Sequence, residues 1–588
     1  MSDRIRIGGA CGFWGEAGHA TAQLLAHPDI DVLIYDYLAE ITLSIMARAR
    51  QKDPAAGYAR DFVTEVMAKN AAQIAEQGVK ILSNAGGMNP DACAEALREV
   101  LRTQGLELSV AVVTGDDLLG RVETFADVKE MESGAAFPDA ARVASINAYM
   151  GAFPIAAALS AGADIVITGR CADSALALAA GIHRFGWGPD DLDLLAAGSL
   201  AGHLIECGPQ STGGNFTDWE MAGDIAQIGY PVAELQRDGT IEITKPAGTS
   251  GLVTPASVTE QLLYEIGDPS AYLLPDVICD FRKVSATAVA QNLVRVTGAR
   301  GRAPTGRLKV SATYADGFRA GIQFQFNGRD ARRKAEAYVR AGLDRAQARI
   351  GAPFAETCIE LFGGRPDPSK DEQILVKVAV RHADPRAVGV FLKEQIGLAL
   401  ATPPGLHFFT GAGRPKPSPV VRLFSCLIAA DEVQVEISRD GTPVPYEAPV
   451  CKAAAAAASA IADPEEPRPG GDLIETRLET LAFARSGDKG DAANIGVIAR
   501  HPVLLPWIWR ALTPDAVAAV FPQASGPVTR FHLPGASALN LLLEGALGGG
   551  GIASLRDDAQ GKSYAQTLLG LSVQVPRALV PETREPDA

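Results

Sequence analysis

Long hydrophobic runs and paired cysteines are both missing from this sequence. No apolar run in the 588 residues approaches the roughly 18 uninterrupted residues of a membrane span. The eight cysteines are scattered from Cys11 to Cys451 without a CxxC pair, which argues against a zinc ribbon, a redox pair or a disulfide framework. Met1 to Arg6 leads into a strand-like run with no apolar signal segment. We therefore expect a soluble cytoplasmic protein with reduced thiols and no membrane partner.

Positive charge is scarce relative to negative charge. The chain has 54 Lys and Arg residues against 69 Asp and Glu residues, a formal net charge of -15. Phosphate backbones and anionic lipid surfaces carry the same sign, so the sequence predicts no nucleic-acid partner. The hydrophobic share of 47% and the charged share of 21% are those of a globular protein. A chain of this length suggests about three or four structural units.

Short apolar runs alternate with longer helical stretches from residue 4 to about residue 180. The runs are continuous and end at Gly, Asn or Asp: RIRIGGA, IDVLIYD, VKILSNAGG, LELSVAVVTGDD, VASINAY and ADIVITGR. Continuous runs are typical of strands covered on both faces, and helical crossovers join parallel strands. The pattern predicts an α/β fold with a doubly wound, largely parallel sheet. Ligands bind such sheets beyond the carboxyl ends of the strands.

Two adjacent predicted strands end in charged segments, TGDD and TGRCADS. Asp116, Asp117 and Asp173 are therefore candidates for acid and base catalysis, and Arg170 for binding a carboxylate or phosphate. In the alternative interpretation, Asp173 caps the next helix and Arg170 neutralises one of the other two carboxylates.

The loop after the first predicted strand, GGACGFWG, is rich in glycine. A loop that opens a helix can receive an anion, and Gly12 is its candidate contact. Asp36 ends the second strand, where a dinucleotide fold carries its ribose ligand. The spacing departs from GxGxxG at Ala10, and Trp14 is bulky for a pyrophosphate site. A structural turn and a site for another anion are therefore alternatives to dinucleotide binding.

The segment HLIECG places His203, Glu206 and Cys207 on one face of a predicted helix. A His beside a Cys can activate a thiol as a nucleophile, so His203 and Cys207 form a reserve catalytic pair. A satisfied helix end is the alternative. No second His/Cys group stands at ligand spacing, and we assign no metal site.

Three further loops carry candidate binding residues. In STGGNF, Gly213 and Gly214 would let the backbone approach a substrate, and Asn215 could stabilise an oxyanion; a plain turn is the alternative. Lys245 precedes a small-residue loop that could hold phosphates but does not match Walker A. Asp488 and Lys489 lie in SGDKGD, which could form an anion nest or bind a cation.

Long segments of the chain resemble the acyclic terpene utilisation family AtuA. They include RIGGACGFWGE, SNAGGMNP, NAYMGAFPIAAALSAGADIVITGRCADSALALA and GHLIECGPQSTGGNFTDW. The tail, with ARSGDKGDAANIGVIAR and LGGGGIASLRDDAQGK, is similar to the AtuA-like ferredoxin-fold domain that is often fused to this family. The resemblance implies a role in pathways that degrade branched isoprenoid acids as coenzyme A thioesters.

The expected organisation has three folded units and a linker. We expect a Rossmann-like α/β lobe at residues 1–198, a second α/β lobe at 199–457, a Pro- and Gly-containing linker at 458–475, and a C-terminal α+β ferredoxin-like domain at 476–588.

The expected function is that of an enzyme, a hydratase or lyase acting on an acyl-CoA thioester. Coenzyme A would enter as part of the substrate, and no other cofactor is assigned. A noncatalytic assembly partner of a pathway enzyme and an NAD-dependent oxidoreductase are the alternatives. Chain size and the appended domain favour a homo-oligomer.

Overall fold

The computed structural model of the chain describes residues 3–16, 18–38, 40–363, 373–408, 415–467 and 472–580. The first part of the chain contains eight strands: β1 Arg4–Cys11, β2 Val32–Tyr35, β3 Lys80–Ser83, β4 Val110–Thr114, β5 Val143–Ala148, β6 Ile165–Thr168, β7 Val232–Gln236 and β8 Ile241–Thr244. Eight helices accompany them: α1 Ala20–Leu25, α2 Glu40–Lys52, α3 Ala68–Gln77, α4 Pro90–Thr103, α5 Phe153–Ser160, α6 Ala175–Phe185, α7 Leu192–Ile205 and α8 Pro255–Leu263.

The middle of the chain is dominated by strands. These are β9 Tyr272–Leu273, β10 Ile278–Asp280, β11 Ser285–Ala290, β12 Leu293–Thr297, β13 Arg300–Arg302, β14 Arg307–Asn327, β15 Glu356–Gly363, β16 Gln373–His382, β17 Leu406–His407, β18 Ser418–Ala429, β19 Glu436–Arg439 and β20 Thr442–Val444. Two helices, α9 Ala331–Ile350 and α10 Pro385–Gly397, cover one face of their sheet.

The last part of the chain mixes strands and short helices. The strands are β21 Leu473–Arg477, β22 Ala482–Lys489, β23 Ala492–Ala499, β24 Val528–Leu533, β25 Ala538–Leu543 and β26 Ser572–Pro576. The helices are α11 Leu505–Ala511, α12 Pro514–Val520 and α13 Tyr564–Leu569. β22–β25 form an antiparallel sheet in the order β22-β23-β25-β24, and the helices pack on it around a separate core.

An eleven-stranded mixed sheet forms the centre of the molecule, in the order β11-β12-β8-β7-β1-β2-β3-β6-β4-β19-β20. The five strands from β1 to β4 in this order pair in parallel, and the strands beyond them pair antiparallel. The predicted α/β class is therefore confirmed. The expectation of a largely parallel sheet holds only for these five strands, because the edges are extended by antiparallel ladders.

Helices cover both faces of the parallel strands. α5, α6 and α7 pack on one face, and α1, α3 and α4 pack on the other. Neighbouring residues of one strand face the two different cores, as Ile34 and Leu33 of β2 do. Burial on both faces is the physical reason for the continuous apolar runs in the sequence.

The second sheet takes up a strand that the sequence pattern placed in the first. β5, the predicted strand VASINAY, pairs antiparallel with β14 and not with the parallel strands. A buried polar contact accompanies this pairing, because the hydroxyls of Ser145 and Thr313 lie 2.6 Å apart across the β5–β14 pair. β15, β16, β17 and β18 complete this second sheet around β14.

The main sheet contains strands from both sides of residue 198, where the sequence suggested a lobe boundary. β7, β8, β11 and β12 follow that residue, and β19 and β20 return to the sheet beside β4. Residues 445–467, which run into the expected linker, form neither helix nor strand. Among the residues that the structure describes, no single helix is long and apolar enough to cross a membrane; one bent pair, Pro502–Ala511 with Pro514–Val520, meets the length and composition requirement.

The C-terminal domain is held to the rest of the chain by buried polar contacts. The side chains of Arg485 and Glu260 are 6% and 0% exposed and their charged atoms lie 3.3 Å apart. Arg485 also donates a hydrogen bond of 2.9 Å to the carbonyl of Gly214. Arg500 makes two hydrogen bonds of 2.6 Å to the carboxylate of Asp218. These contacts place the C-terminal sheet against α8 and the segment that follows α7.

We predict that Arg485→Met destabilises the docked C-terminal domain by about 3–5 kcal/mol, because it leaves the buried carboxylate of Glu260 without its partner. Urea unfolding followed by tryptophan fluorescence measures the loss. Arg477→Met is the matched control, since its partner Glu479 is 51% exposed and such pairs contribute about 0–1 kcal/mol. Equal effects of the two substitutions would show that the buried pair does not hold the domain.

Candidate active site at the carboxyl ends of the parallel strands

Polar residues follow four of the parallel strands and meet at one edge of the sheet. Asp36 follows β2, Asn84 follows β3, Asp116 lies beyond β4, and Arg170 lies beyond β6. All four are buried. β4 and β6 are neighbours, which confirms the prediction that the two charged segments end adjacent strands.

Asp116 ties three strand ends together. Its carboxylate accepts a hydrogen bond of 2.8 Å from the backbone N–H of Arg170 and another of 2.8 Å from Nδ2 of Asn147, which belongs to β5. Burial raises the pKa of Asp116 to about 6. Gly169 has no side chain because a Cβ there would collide with this carboxylate. These contacts give Asp116 a structural task, and its predicted catalytic role stays a prediction.

The guanidinium of Arg170 links the sheet edge to Asp173. Arg170 is 3% exposed, and its Nη2 lies 2.9 Å from Oδ1 of Asp173. Its Nη1 donates a hydrogen bond of 2.5 Å to the carbonyl of Leu38, and the guanidinium lies 4.1 Å from the ring centroid of Tyr149. The side chain of Asp173 is 40% exposed, so this pair reaches the surface of the site.

Asp117 makes a different contact. Its carboxylate is 37% exposed and lies 3.1 Å from Nη1 of Arg50. It also accepts a hydrogen bond of 3.0 Å from the N–H of Leu119. The guanidinium of Arg170 therefore pairs with Asp173 and leaves Asp117 to Arg50.

Asp36 is a buried carboxyl group that the sequence suggested only as a ribose ligand. Its Oδ1 accepts hydrogen bonds of 2.7 Å from Asn84 and 3.0 Å from the N–H of Leu38. Burial, with the charge of Asp173 as a second cause, raises the pKa of Asp36 to about 8. A carboxyl group that titrates near neutral pH can both release and accept a proton.

The last turn of α7 and the two residues after it bring His203, Glu206 and Cys207 to the same site. Nδ1 of His203 lies 3.3 Å from Oε1 of Glu206, and both side chains are less than a tenth exposed. Burial raises the pKa of Glu206, and the charges of Asp173 and Glu265 raise it further. Burial also raises the pKa of the Cys207 thiol well above its usual value, which disfavours a thiolate nucleophile.

The glycine-rich loop after β1 packs on α7. A Cβ on Gly9 would collide with the carbonyl of Ile205, and one on Gly12 would lie 2.8 Å from the backbone of Cys207. The N–H of Gly12 already donates a hydrogen bond of 2.5 Å to Glu16. Close approach of helix to strand therefore explains the glycines, and the N–H of Gly12 is engaged within the loop.

The C-terminal domain supplies one side of the site. Nζ of Lys562 lies 2.8 Å from Oε1 of Glu265 and 3.1 Å from Oδ1 of Asp488. Lys489, exposed at the end of β22, lies 5.4 Å from the ring centroid of Tyr272. Burial raises the pKa of Asp488 to about 6, with the charge of Glu265 as a second cause. The predicted residues Asp488 and Lys489 thus lie beside the groups at the end of α7.

Six buried polar atoms of the site have no hydrogen-bond partner within the described chain: Oδ1 of Asn147, Nε of Arg170, Oδ1 of Asp173, Oγ of Ser174, Nδ1 of His203 and Oε2 of Glu206. Buried polar atoms are normally paired, so unpaired ones mark places where a ligand or water can bind. Among the described residues, no group of three or more His, Cys, Asp and Glu side chains could hold a metal ion.

Three predicted binding residues and the predicted oxyanion donor Asn215 lie in loops outside the carboxyl cluster. Nζ of Lys245 donates a hydrogen bond of 2.6 Å to Thr249 in its own loop, and burial lowers its pKa. Gly213 adopts a φ of +109° against Leu252, while Gly214 contacts the C-terminal domain through Arg485. Asn215, at a φ of +54°, is exposed in the turn beside that contact.

Sequence reasoning missed the roles of Asp36, Glu206 and Glu265 in this cluster. The sequence could have indicated Asp36, because this residue follows a predicted parallel strand. Glu206 stood in the HLIECG segment but was passed over for its His and Cys neighbours. Glu265 had no signal, because its place depends on how the C-terminal domain docks.

We predict that Asp36→Asn flattens the pH dependence of stability. The ordinary pKa of 3.8 applies to Asp36 in the unfolded chain and about 8 in the folded one, so across this window the folded state holds more protons. The stability of the unsubstituted protein should therefore fall as pH rises from about 4 to about 8. Urea unfolding at a series of pH values measures the slope. Asp344→Asn, on the exposed face of α9, should keep it; an unchanged slope in Asp36→Asn would contradict the assignment.

Comparison with known proteins identifies the family of this chain. No curated protein and no solved structure matches the chain significantly. Residues 476–574 match the model of the AtuA ferredoxin-like domain, in agreement with the predicted α+β domain. Residues 5–439, which contain the sheet edge and α7, match the model of the acyclic terpene utilisation family protein AtuA. The chain therefore belongs to the acyclic terpene utilisation family AtuA, with a ferredoxin-like domain at its C-terminal end.

Proposed function

We propose that the protein is an enzyme of branched or isoprenoid acid catabolism that acts on an acyl-CoA thioester as a hydratase or lyase. The observation that supports this most is a group of three carboxyls whose pKa is raised by burial: that of Asp36 to about 8, that of Asp488 to about 6, and that of Glu206 above its usual value. A general acid or base works best with a pKa near the working pH. The family description, acyclic terpene utilisation, supports a branched acid as the substrate class.

Hydration or elimination at an acyl thioester needs a base near the acidic α-carbon and a positive group near the thioester oxygen. Carboxyl groups of the cluster supply the first. Arg170 supplies the second, since its buried guanidinium points its Nη2 to the partly exposed Asp173. Exposed Lys489 lies at the rim, where it can attract the phosphates of coenzyme A. Coenzyme A enters this scheme as part of the substrate, and no further cofactor is required.

A noncatalytic assembly partner is the second candidate function. It is favoured by a run of exposed apolar side chains, since Trp219 and Met221 are each 63% exposed and Ile225 is 72% exposed. This function predicts a stable complex on co-purification and no conversion of any thioester. The expected homo-oligomer stays a prediction that light scattering can measure.

An NAD-dependent oxidoreductase has less support. The N–H of Gly12 is bonded to Glu16, and Asp36 is buried against Asn84, so neither is free for a dinucleotide.

We predict that Asp173→Asn lowers the turnover of 3-methylbut-2-enoyl-CoA by about 100-fold or more, because it removes the counter-charge that orients Arg170. Loss of the enoyl thioester absorbance measures the rate. The melting temperature should stay within a few degrees, since Asp173 is partly exposed.

Asp344→Asn, exposed on α9, is the control and should keep the full rate. A wild-type rate in Asp173→Asn would remove this carboxylate from the mechanism. If 3-methylbut-2-enoyl-CoA neither reacts nor raises the melting temperature while a stable protein complex co-purifies, the assembly partner is the better function.

A further inference from the structure

The hydrogen bonds of His203 determine which of its nitrogens carries a hydrogen. Nε2 lies 3.1 Å from the backbone carbonyl oxygen of Leu262. A carbonyl oxygen can only accept, so Nε2 must be the donor and carry the hydrogen. The neutral ring then has its lone pair on Nδ1, the nitrogen that faces Glu206.

The contact between His203 and Glu206 requires a proton. With a lone pair on Nδ1 and an ionised carboxylate, two acceptors would face each other at 3.3 Å with the side chains 2% and 8% exposed. One proton on Nδ1 removes this conflict and leaves Glu206 ionised, whereas a proton on Oε1 would make Glu206 a neutral acid that cannot serve as a base. The pair therefore holds one buried proton, and Nδ1 of His203 has no hydrogen-bond partner in the described chain besides this contact.

The groups around the pair are mostly acidic or aromatic. Asp173 and Glu265 add negative charge to Glu206, and the Cys207 thiol is neutral. The ring of Tyr272 lies 5.7 Å from His203 on the other side. The negative charge around the pair favours retention of its proton.

The second oxygen of Glu206 makes no hydrogen bond to any described residue. Oε2 is buried and has no hydrogen-bond partner in the described parts of the chain. In contrast, the carboxylate of Asp116 accepts two hydrogen bonds from Arg170 and Asn147, and Asp36 accepts two from Asn84 and Leu38. Oε1 of Glu206 thus contacts His203, whereas Oε2 has no hydrogen-bond partner in the described chain.

We propose that Oε2 of Glu206 is the atom that removes and returns the α-proton of the acyl thioester, and that His203 is a positioning residue that holds the first proton on its Nδ1, beside Oε1 of Glu206. This inference rests on the proposed function. In the forward step the α-C–H bond breaks, its electron pair moves into the enolate of the thioester, and the proton binds Oε2. The pair then holds two protons, and the reverse step protonates the α-carbon.

The test follows exchange of the α-protons of 3-methylbutanoyl-CoA with D2O by proton NMR. We expect the unsubstituted protein to catalyse exchange and Glu206→Gln to lower the rate by about 100-fold or more, with the affinity for the thioester unchanged by calorimetry. Glu336→Gln, exposed on α9, is the matched control and should exchange at the full rate.

His203→Gln tests the positioning role separately. It should shift the pH profile of exchange, whereas a purely structural role would lower the rate equally at every pH. A pH profile with the same midpoint as the unsubstituted protein would overturn the buried proton of the pair. Infrared spectra at varied pH give a readout without substrate, because Glu206→Gln should remove one titrating carboxyl band.

The possible results distinguish a failure of the Oε2 assignment from a failure of the proposed function. Exchange by the unsubstituted protein and equally by Glu206→Gln would overturn the assignment of Oε2 and leave the proposed function intact. No exchange by the unsubstituted protein, with the thioester bound, would overturn both. If Glu206→Gln does not fold, Glu206→Asp withdraws the oxygen by one methylene, and a full exchange rate in that variant would overturn the assignment.

Discussion

The buried guanidinium of Arg170 is the interaction on which the sheet edge depends. Its backbone N–H is bonded to Asp116 beyond β4, and its side chain reaches the carbonyl of Leu38 beyond β2 and the carboxylate of Asp173. Three loops that leave different parallel strands are thus fixed relative to one another by one residue. A planar group with several donors suits this task, because a lysine ammonium would not hold the same directions.

The positive charge of Arg170 also makes the burial of the surrounding acids tolerable. An ionised carboxylate in a poorly solvated position is unfavourable unless it is paired or takes up a proton. Asp173 is paired with Arg170, whereas the pKa of Asp36 is raised to about 8, which favours its protonated form. The same principle applies across the domain interface, where Lys562 bonds Glu265 and Asp488. Docking of the C-terminal domain is therefore part of the charge balance of the site and not only a matter of packing.

Local sequence patterns revealed the strands and their polar ends, but not what the glycines do. The adjacency of the ends of β4 and β6 could be predicted, because parallel strands with helical crossovers place their carboxyl ends on one edge. Gly12 and Gly214 were assigned to ligand binding, and the structure shows them against Cys207 and Arg485. A glycine permits close approach of any backbone or ligand, so the residue type alone does not identify its neighbour. The meeting of Asp488 with Glu265 could not be foreseen either, since it depends on contacts between residues more than 200 positions apart.

The charge distribution of the site bears on the part of a substrate that can enter it. Carboxyl groups outnumber cations there: Asp36, Asp173, Glu206, Glu265 and Asp488 face Arg170 and Lys562. The excess of acid is compatible with burial only when some of these groups are protonated, as the raised pKa values of Asp36, Glu206 and Asp488 indicate. A second carboxylate on the acyl chain would add to the same repulsion, whereas an uncharged branched chain would not. In the proposed function, the anionic end of the thioester substrate therefore lies at the rim beside Lys489, and its neutral acyl end lies beside Glu206.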